Sequence, residues 1–123
     1  MNKRVLVVDD SETVLAKASE ALVAGGFEVC TAVSAAAADR YIYGDSRPDI
    51  IIIDVMMPLL DGDKKTKMLK EDDLARDIPI LLLSSKSEKE LARLAVTSGA
   101  DGCIRKPFTF KELLVKIEIT LGK

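Results

Sequence analysis

Histidine is missing from this sequence altogether. Without an imidazole the chain has no His nucleophile, no His general base and no phosphohistidine of its own, and a Cys/His zinc site is equally closed to it. Cysteine is sparse: Cys30 and Cys103 stand singly in apolar stretches, with no Cys-x-x-Cys spacing. They read as small buried thiols of a protein in a reducing, cytoplasmic compartment. Long apolar runs are also lacking, since residues 5–8 and 50–53 fall far short of the roughly 20 that a membrane helix needs. The start Met-Asn-Lys-Arg leads straight into a strand pattern, so no targeting segment is expected. No cluster of Lys and Arg interleaved with aromatics occurs, and the net charge is −2, so nucleic acid is not an expected ligand. Gly25-Gly26 follows a helical pattern and lacks the Gly-x-Gly-x-x-Gly spacing after a strand, which sets nucleotide binding aside.

What is present is the balance of a folded protein. Hydrophobic residues make up 48% of the 123 and charged residues 31%, and a chain of this length buries roughly two-thirds of its unfolded surface. A single domain over residues 1–123 is expected, with no repeat, linker or low-complexity tract to divide it.

Strand and helix signals alternate along it. Arg4 to Val8 is a continuous apolar run ending at Asp9-Asp10, and Ser11 is placed to cap a helix carrying Val14, Leu15, Ala18, Ala21 and Leu22, stopped by Gly25-Gly26. Phe27 to Ala32 reads as a second strand and Ser34 opens an alanine-rich helix to about Tyr43. Ile50 to Ile53 is the strongest strand signal and runs into Asp54. Pro58 and Asp61-Gly62 mark a loop before a polar helix centred on Met68 and Leu69. Ile80 to Leu83 ends at Ser84-Ser85, Ser87 with Glu90 predicts a capping box, and that helix stops at Gly99. A short strand through Ile104 ends at Lys106-Pro107, and Thr109 with Glu112 predicts a second capping box, opening a last helix with Leu113, Leu114, Ile117 and Leu121. Alternation of this kind predicts an α/β fold, a doubly wound parallel sheet with helices on both faces, whose ligands bind outside the carboxyl ends of the strands.

Those strand ends carry Asp9, Asp10, Asp54, Ser84 and Lys106. Carboxylates about 4 Å apart repel by about 4 kcal/mol per pair at an effective dielectric near 20, more than one lysine offsets. A divalent cation would relieve this, and Mg²⁺ suits a few hard oxygen ligands and a phosphate. The plainer alternative is a solvated acidic rim that holds no ion.

The whole pattern resembles the receiver domains of two-component response regulators, of the CheY-like kind. An acidic pair, a phosphoacceptor Asp, a Ser and a Lys-Pro stand as Asp9-Asp10, Asp54, Ser84 and Lys106-Pro107; Asp54-Val-Met-Met-Pro58-Leu-Leu-Asp61-Gly62 and Gly99-Ala100-Asp101 with Ile104-Arg-Lys-Pro-Phe108 extend the match. The resemblance implies a flavodoxin-like (βα)5 sheet of strand order 2-1-3-4-5. It implies phosphorylation of Asp54 by a histidine kinase or histidine phosphotransfer domain, with Mg²⁺ held by Asp9, Asp10, Asp54 and the Met56 carbonyl. Lys106 and Ser84 would engage phosphoryl oxygens, and the Lys106–Pro107 peptide would be cis. Partner binding, to a downstream protein the sequence does not identify, would switch through the face formed by helix 4, strand 5 and helix 5, in a monomer or a phosphorylation-dependent dimer. Met56 and Lys86 lie where side chains obstruct or admit the water that hydrolyses the acyl phosphate.

Two positions depart from the pattern. Cys103 stands where the family places a swinging aromatic in the fifth strand, and it is too small for that part. Asp63-Lys-Lys-Thr-Lys67 occupies ground that relatives make apolar, leaving Met68 and Leu69 as the main anchors, and reads as a solvated helix face or, alternatively, a docking site for a partner. A phosphohydrolase of the haloacid-dehalogenase type would need Asp-x-Asp after the first strand, where this chain has an adjacent pair. A receiver-like interaction domain that takes up no phosphate is the remaining alternative.

Overall fold

A computed structural model describes residues 2–122. Met1 and Lys123, the ends of the expected 1–123 domain, lie outside the described residues. Five strands, β1 (Arg4–Val8), β2 (Glu28–Ala32), β3 (Ile50–Asp54), β4 (Ile80–Ser84) and β5 (Gly102–Arg105), alternate with five helices. The helices are α1 (Glu12–Ala24), α2 (Ala35–Ile42), α3 (Gly62–Lys70), α4 (Glu88–Ser98) and α5 (Phe110–Leu121). The strands form one parallel sheet in the order β2-β1-β3-β4-β5, the flavodoxin-like arrangement.

Successive side chains of a strand face opposite ways, so an all-apolar strand feeds two cores at once. Ile50 and Ile52 of β3 pack under α1 and α5 with Val5, Val7, Leu22 and Ile117, whereas Ile51 and Ile53 pack under α2, α3 and α4 with Leu6, Ile42, Leu69 and Leu91. All four isoleucines are essentially inaccessible, each worth roughly 2–3 kcal/mol relative to an exposed position. Helix starts follow their caps: the hydroxyls of Ser11 and Ser34 accept from the backbone N–H groups of Val14 and Ala37, and Thr109 with Glu112 forms the full reciprocal box.

Several expectations are corrected. Ser87 caps α4 through Glu90 N–H, but the Glu90 carboxylate accepts from the Ser87 hydroxyl instead of the backbone, so the box is half formed. Phe27 falls outside β2, and Gly62 is the first residue of α3, not part of a loop, with Asp61 as its N-cap. Cys30 and Cys103 are half-buried, not enclosed, because β2 and β5 are the two edges of the sheet. In α3 the reading of a solvated face holds for Lys64 and Lys67, which are exposed, and fails at Lys65 and Thr66. Lys65 and Thr66 are buried while Met68, expected as an anchor, is 55% exposed; of the two expected anchors Leu69 alone is enclosed. The Lys65 ammonium reaches Asp39 of α2 at 2.6 Å, and Thr66 Oγ1 donates to the Gly62 carbonyl at 2.8 Å. Its alkyl stem is thereby covered while the charge finds a partner at the edge.

The pair is asymmetric, since the Lys65 side chain is 8% exposed and that of Asp39 46%. Removing the acid strands a buried ammonium, whereas removing the lysine leaves a carboxylate that water can solvate. Asp39→Ala is therefore expected to cost about 2 kcal/mol of unfolding free energy and Lys65→Met less than half as much. Urea midpoints at unchanged denaturant slope measure both.

Candidate functional site

The parallel register brings the polar strand ends to one rim. Val8 pairs with Ile53, so Asp9 emerges beside Asp54; Asp54 pairs with Leu83, and Ser84 with Arg105. Asp9 and Asp54 are thus level, with Ser84 a residue farther along and Lys106 a residue beyond that. Lys106 stands farthest out and its side chain reaches back.

A carboxylate oxygen from each of Asp9, Asp10 and Asp54 lies within 4.8 Å of the others, with Asp9 and Asp54 buried and Asp10 exposed. Asp9 Oδ1 accepts from the Ser11 backbone N–H at 2.9 Å. Lys106 Nζ stands 2.8 Å from Asp9 Oδ2 and 3.3 Å from Asp54 Oδ1. Only the second contact has hydrogen-bond geometry, so among the described residues the fully buried anionic Asp9 Oδ2 has no partner beyond its ion pair with Lys106. Burial, then the neighbouring Asp9 charge, holds Asp54 above the ordinary carboxylate range, against the opposing pull of Lys106 and the Met56 N–H. Burial by itself would lower Lys106, but its contacts with Asp9 and Asp54 prevail and raise it. Both partners therefore shift upward, Asp54 chiefly because it is buried and Lys106 because two carboxylates face its one ammonium.

The cluster fits a metal ion on its donor chemistry: hard carboxylate oxygens, an excess of negative charge, and a buried oxygen left unsatisfied. Around it, Ser84 is buried and its Oγ accepts from the Lys86 N–H at 3.1 Å. Met56 is exposed in the loop leaving β3, and the Lys106–Pro107 peptide is cis. Cys103 lies outside the cluster, against the core beneath α2, α3 and α4.

Gly62 was read from the sequence only as a turn residue, yet it belongs to the site's support. Its N–H donates to the Val55 carbonyl at 2.8 Å, and a Cβ there would fall 2.0 Å from the carbonyl oxygen of Asp54. Only glycine lets α3 start this close to the strand end. The Asp-Gly pair after the strand was a visible signal, but the close approach was not.

The sequence profile of the response regulator receiver domain matches residues 5–118. The transcriptional regulatory protein PrrA of Mycobacterium tuberculosis is 40% identical over 120 residues, 98% of this chain and 50% of PrrA. Protein PilG of Pseudomonas aeruginosa is 36% identical over 118 residues, 94% of this chain and 84% of PilG. The chain spans about half the length of the transcriptional regulators it matches. Among solved structures, the chemotaxis response regulator CheY4 of Vibrio cholerae superposes with a TM-score of 0.89 at 31% identity, covering 98% of this chain and 99% of that one.

Charge crowding should be visible in stability. Because folding raises the pKa of Asp54, the folded state binds its proton more readily than the unfolded state, and this residue's contribution falls as pH rises through the folded value. In buffer stripped of metal, Asp54→Asn is expected to unfold at higher urea than the native sequence at pH 7. The gap should close as the pH is lowered through the raised pKa into the ordinary carboxylate range. Identical midpoints across that range would mean that Asp54 carries no such stress.

Proposed function

The chain belongs to the response regulator receiver domain family, and from that membership we propose that residues 1–123 form one receiver domain that accepts a phosphoryl group on Asp54. Its phosphodonor, as family membership implies, is a histidine kinase or a histidine phosphotransfer domain, and with no histidine among these residues the phosphohistidine lies outside them. The observation that carries the reading is the buried Asp9 oxygen that, among the described residues, has no partner beyond its ion pair with Lys106, beside a second buried carboxylate. A solvated acidic rim would leave neither acid enclosed.

Asp54 is the nucleophile. A carboxylate oxygen attacks phosphorus, the new P–O bond forms, the P–N bond of the donor phosphoimidazole breaks, and its electron pair stays on the donor nitrogen. Mg²⁺ is the ion we assign to Asp9, Asp10, Asp54 and the Met56 carbonyl; when bound it supplies positive charge to the phosphoryl oxygens during transfer. Lys106, in contact with both Asp9 and Asp54, contributes a further positive charge. Ser84 Oγ accepts from Lys86 and so keeps its own proton free to donate to a phosphoryl oxygen. The chain is a phosphoacceptor signalling module, not an enzyme that turns over an external substrate. Its action ends on itself, and slow hydrolysis of the acyl phosphate, past Met56 and Lys86, resets it.

Readout through the face formed by α4, β5 and α5 towards a downstream protein follows the family's habit, with Ser84 and Cys103 as the positions that respond. A cytoplasmic location agrees with two free cysteines and a kinase donor; no helix among the described residues is long and apolar enough to cross a membrane. Whether the phosphorylated form stays monomeric or pairs is a property of that same face.

Incubation with acetyl phosphate and Mg²⁺, followed by intact mass, is expected to show one added phosphoryl group, absent after chelation of the metal and absent in Asp54→Asn. Unchanged mass of the native sequence would favour a receiver-like interaction domain that is not phosphorylated.

A further inference from the structure

Lys17 has no part in the phosphoryl chemistry and is exposed, yet its ammonium has two partners. From the second turn of α1 it donates to the backbone carbonyl of Phe108 at 2.5 Å, and the same nitrogen sits 4.6 Å from the centroid of the Phe108 ring. Hydrogen bond and cation–π contact converge on one residue, and that residue is two places beyond Lys106. The Phe108 ring is buried in the core shared by α1 and α5, and Thr109 follows at once with its capping box to Glu112. On its other side the turn is tied by the Lys106 N–H to the Ser84 carbonyl at 2.8 Å. The short segment that launches the Lys106 side chain is thus fastened at both ends, once to β4 and once to α1.

We infer that Lys17 is a positioning residue for phosphoryl uptake: by clamping Phe108 it holds the turn between β5 and α5 so that Lys106 Nζ stays between Asp9 and Asp54. This rests on the reading of Asp54 as phosphoacceptor. A lysine on a flexible stem reaches two carboxylates at once only if its backbone origin is held, and displacement of a catalytic group by about 1 Å can cost up to a hundredfold in rate. An ammonium bound to a carbonyl beside an aromatic face has few equivalents among side chains. Arginine can reproduce both contacts, whereas methionine keeps the stem and loses them.

Single-turnover phosphorylation by acetyl phosphate at saturating Mg²⁺, which needs no protein donor, tests this on the whole chain. Lys17→Met is expected to slow uptake about fivefold and Lys17→Arg to restore most of the rate, with the Mg²⁺ concentration for half-maximal rate unchanged in both. In a Lys106→Met background, Lys17→Met should slow uptake no further, because its effect passes through Lys106. An unaltered rate in Lys17→Met would overturn the assignment. So would an equal loss in the Lys106→Met background, or failure of arginine to rescue while urea midpoints match. Absence of any phosphoryl uptake by the native sequence sinks the inference together with the reading beneath it; normal uptake insensitive to position 17 sinks the inference alone.

Discussion

Excess negative charge at the carboxyl rim of the sheet is the constraint on which everything else in this molecule turns. Asp9 and Asp54 are removed from water, Asp10 stands beside them, and among the described residues Lys106 is the one cation in contact with the buried pair. Carboxylates so placed would separate, or bind protons, if their backbones were free to move. They do not separate because Asp9 and Asp10 directly follow β1 and Asp54 ends β3, strands whose apolar side chains are locked between two helical layers. Hydrophobic burial on both faces of β1 and β3, at roughly 2–3 kcal/mol per large side chain, is what keeps the acids together. The stress they retain is what a cation placed among them would relieve.

The same reasoning explains the supporting parts. Gly62 lets the start of α3 press on the carbonyl of Asp54, the Ser11 N–H satisfies the inner oxygen of Asp9, and Lys106 is held at its backbone by Ser84. Each removes freedom from a charged group without neutralising it. Leu59, in the loop between β3 and α3, has a φ of 71° with its side chain wholly exposed, a left-handed conformation costing a leucine about 1–2 kcal/mol. Such strain is tolerated where the chain must turn sharply from the strand end into α3.

Where the sequence was legible, the physics was local. β1 and β3 announce themselves as apolar runs closed by acids, and serine or threonine caps mark α1, α2, α4 and α5. Coming together of Asp9, Asp10, Asp54 and Lys106 followed from their places at the ends of apolar strands and the rule that doubly wound sheets bind at strand ends. What failed depended on contacts distant in sequence. Lys65 looked solvent-bound because hydropathy assigns lysine to water, and only the approach of Asp39, 26 residues earlier, makes its burial tolerable. The exposure of the cysteines depended on which strands became edges. Lys17 meets Phe108 across 91 residues, with no local pattern to betray it.

Chemistry and readout therefore rest on different physical requirements, and the sequence can keep one while altering the other. Phosphoryl uptake needs charges at fixed positions, and those positions are set by the sheet. A switch in the fifth strand needs volume: a side chain large enough that moving it repacks the face above. Cys103 sits on an edge strand, half-buried and paired in register with Leu82, and its side chain is too small to exchange one packing arrangement for another by rotating. Movement there has to come from the backbone. Ser84 offers the means, since its hydroxyl accepts from the Lys86 N–H while the Lys86 carbonyl accepts from Arg105 Nε at 3.1 Å, tying the loop after β4 to the end of β5. A phosphoryl group that drew Ser84 inward would pull on hydrogen bonds instead of vacating a pocket, so the face of α4, β5 and α5 would shift as a loop displacement and not as the swing of a ring.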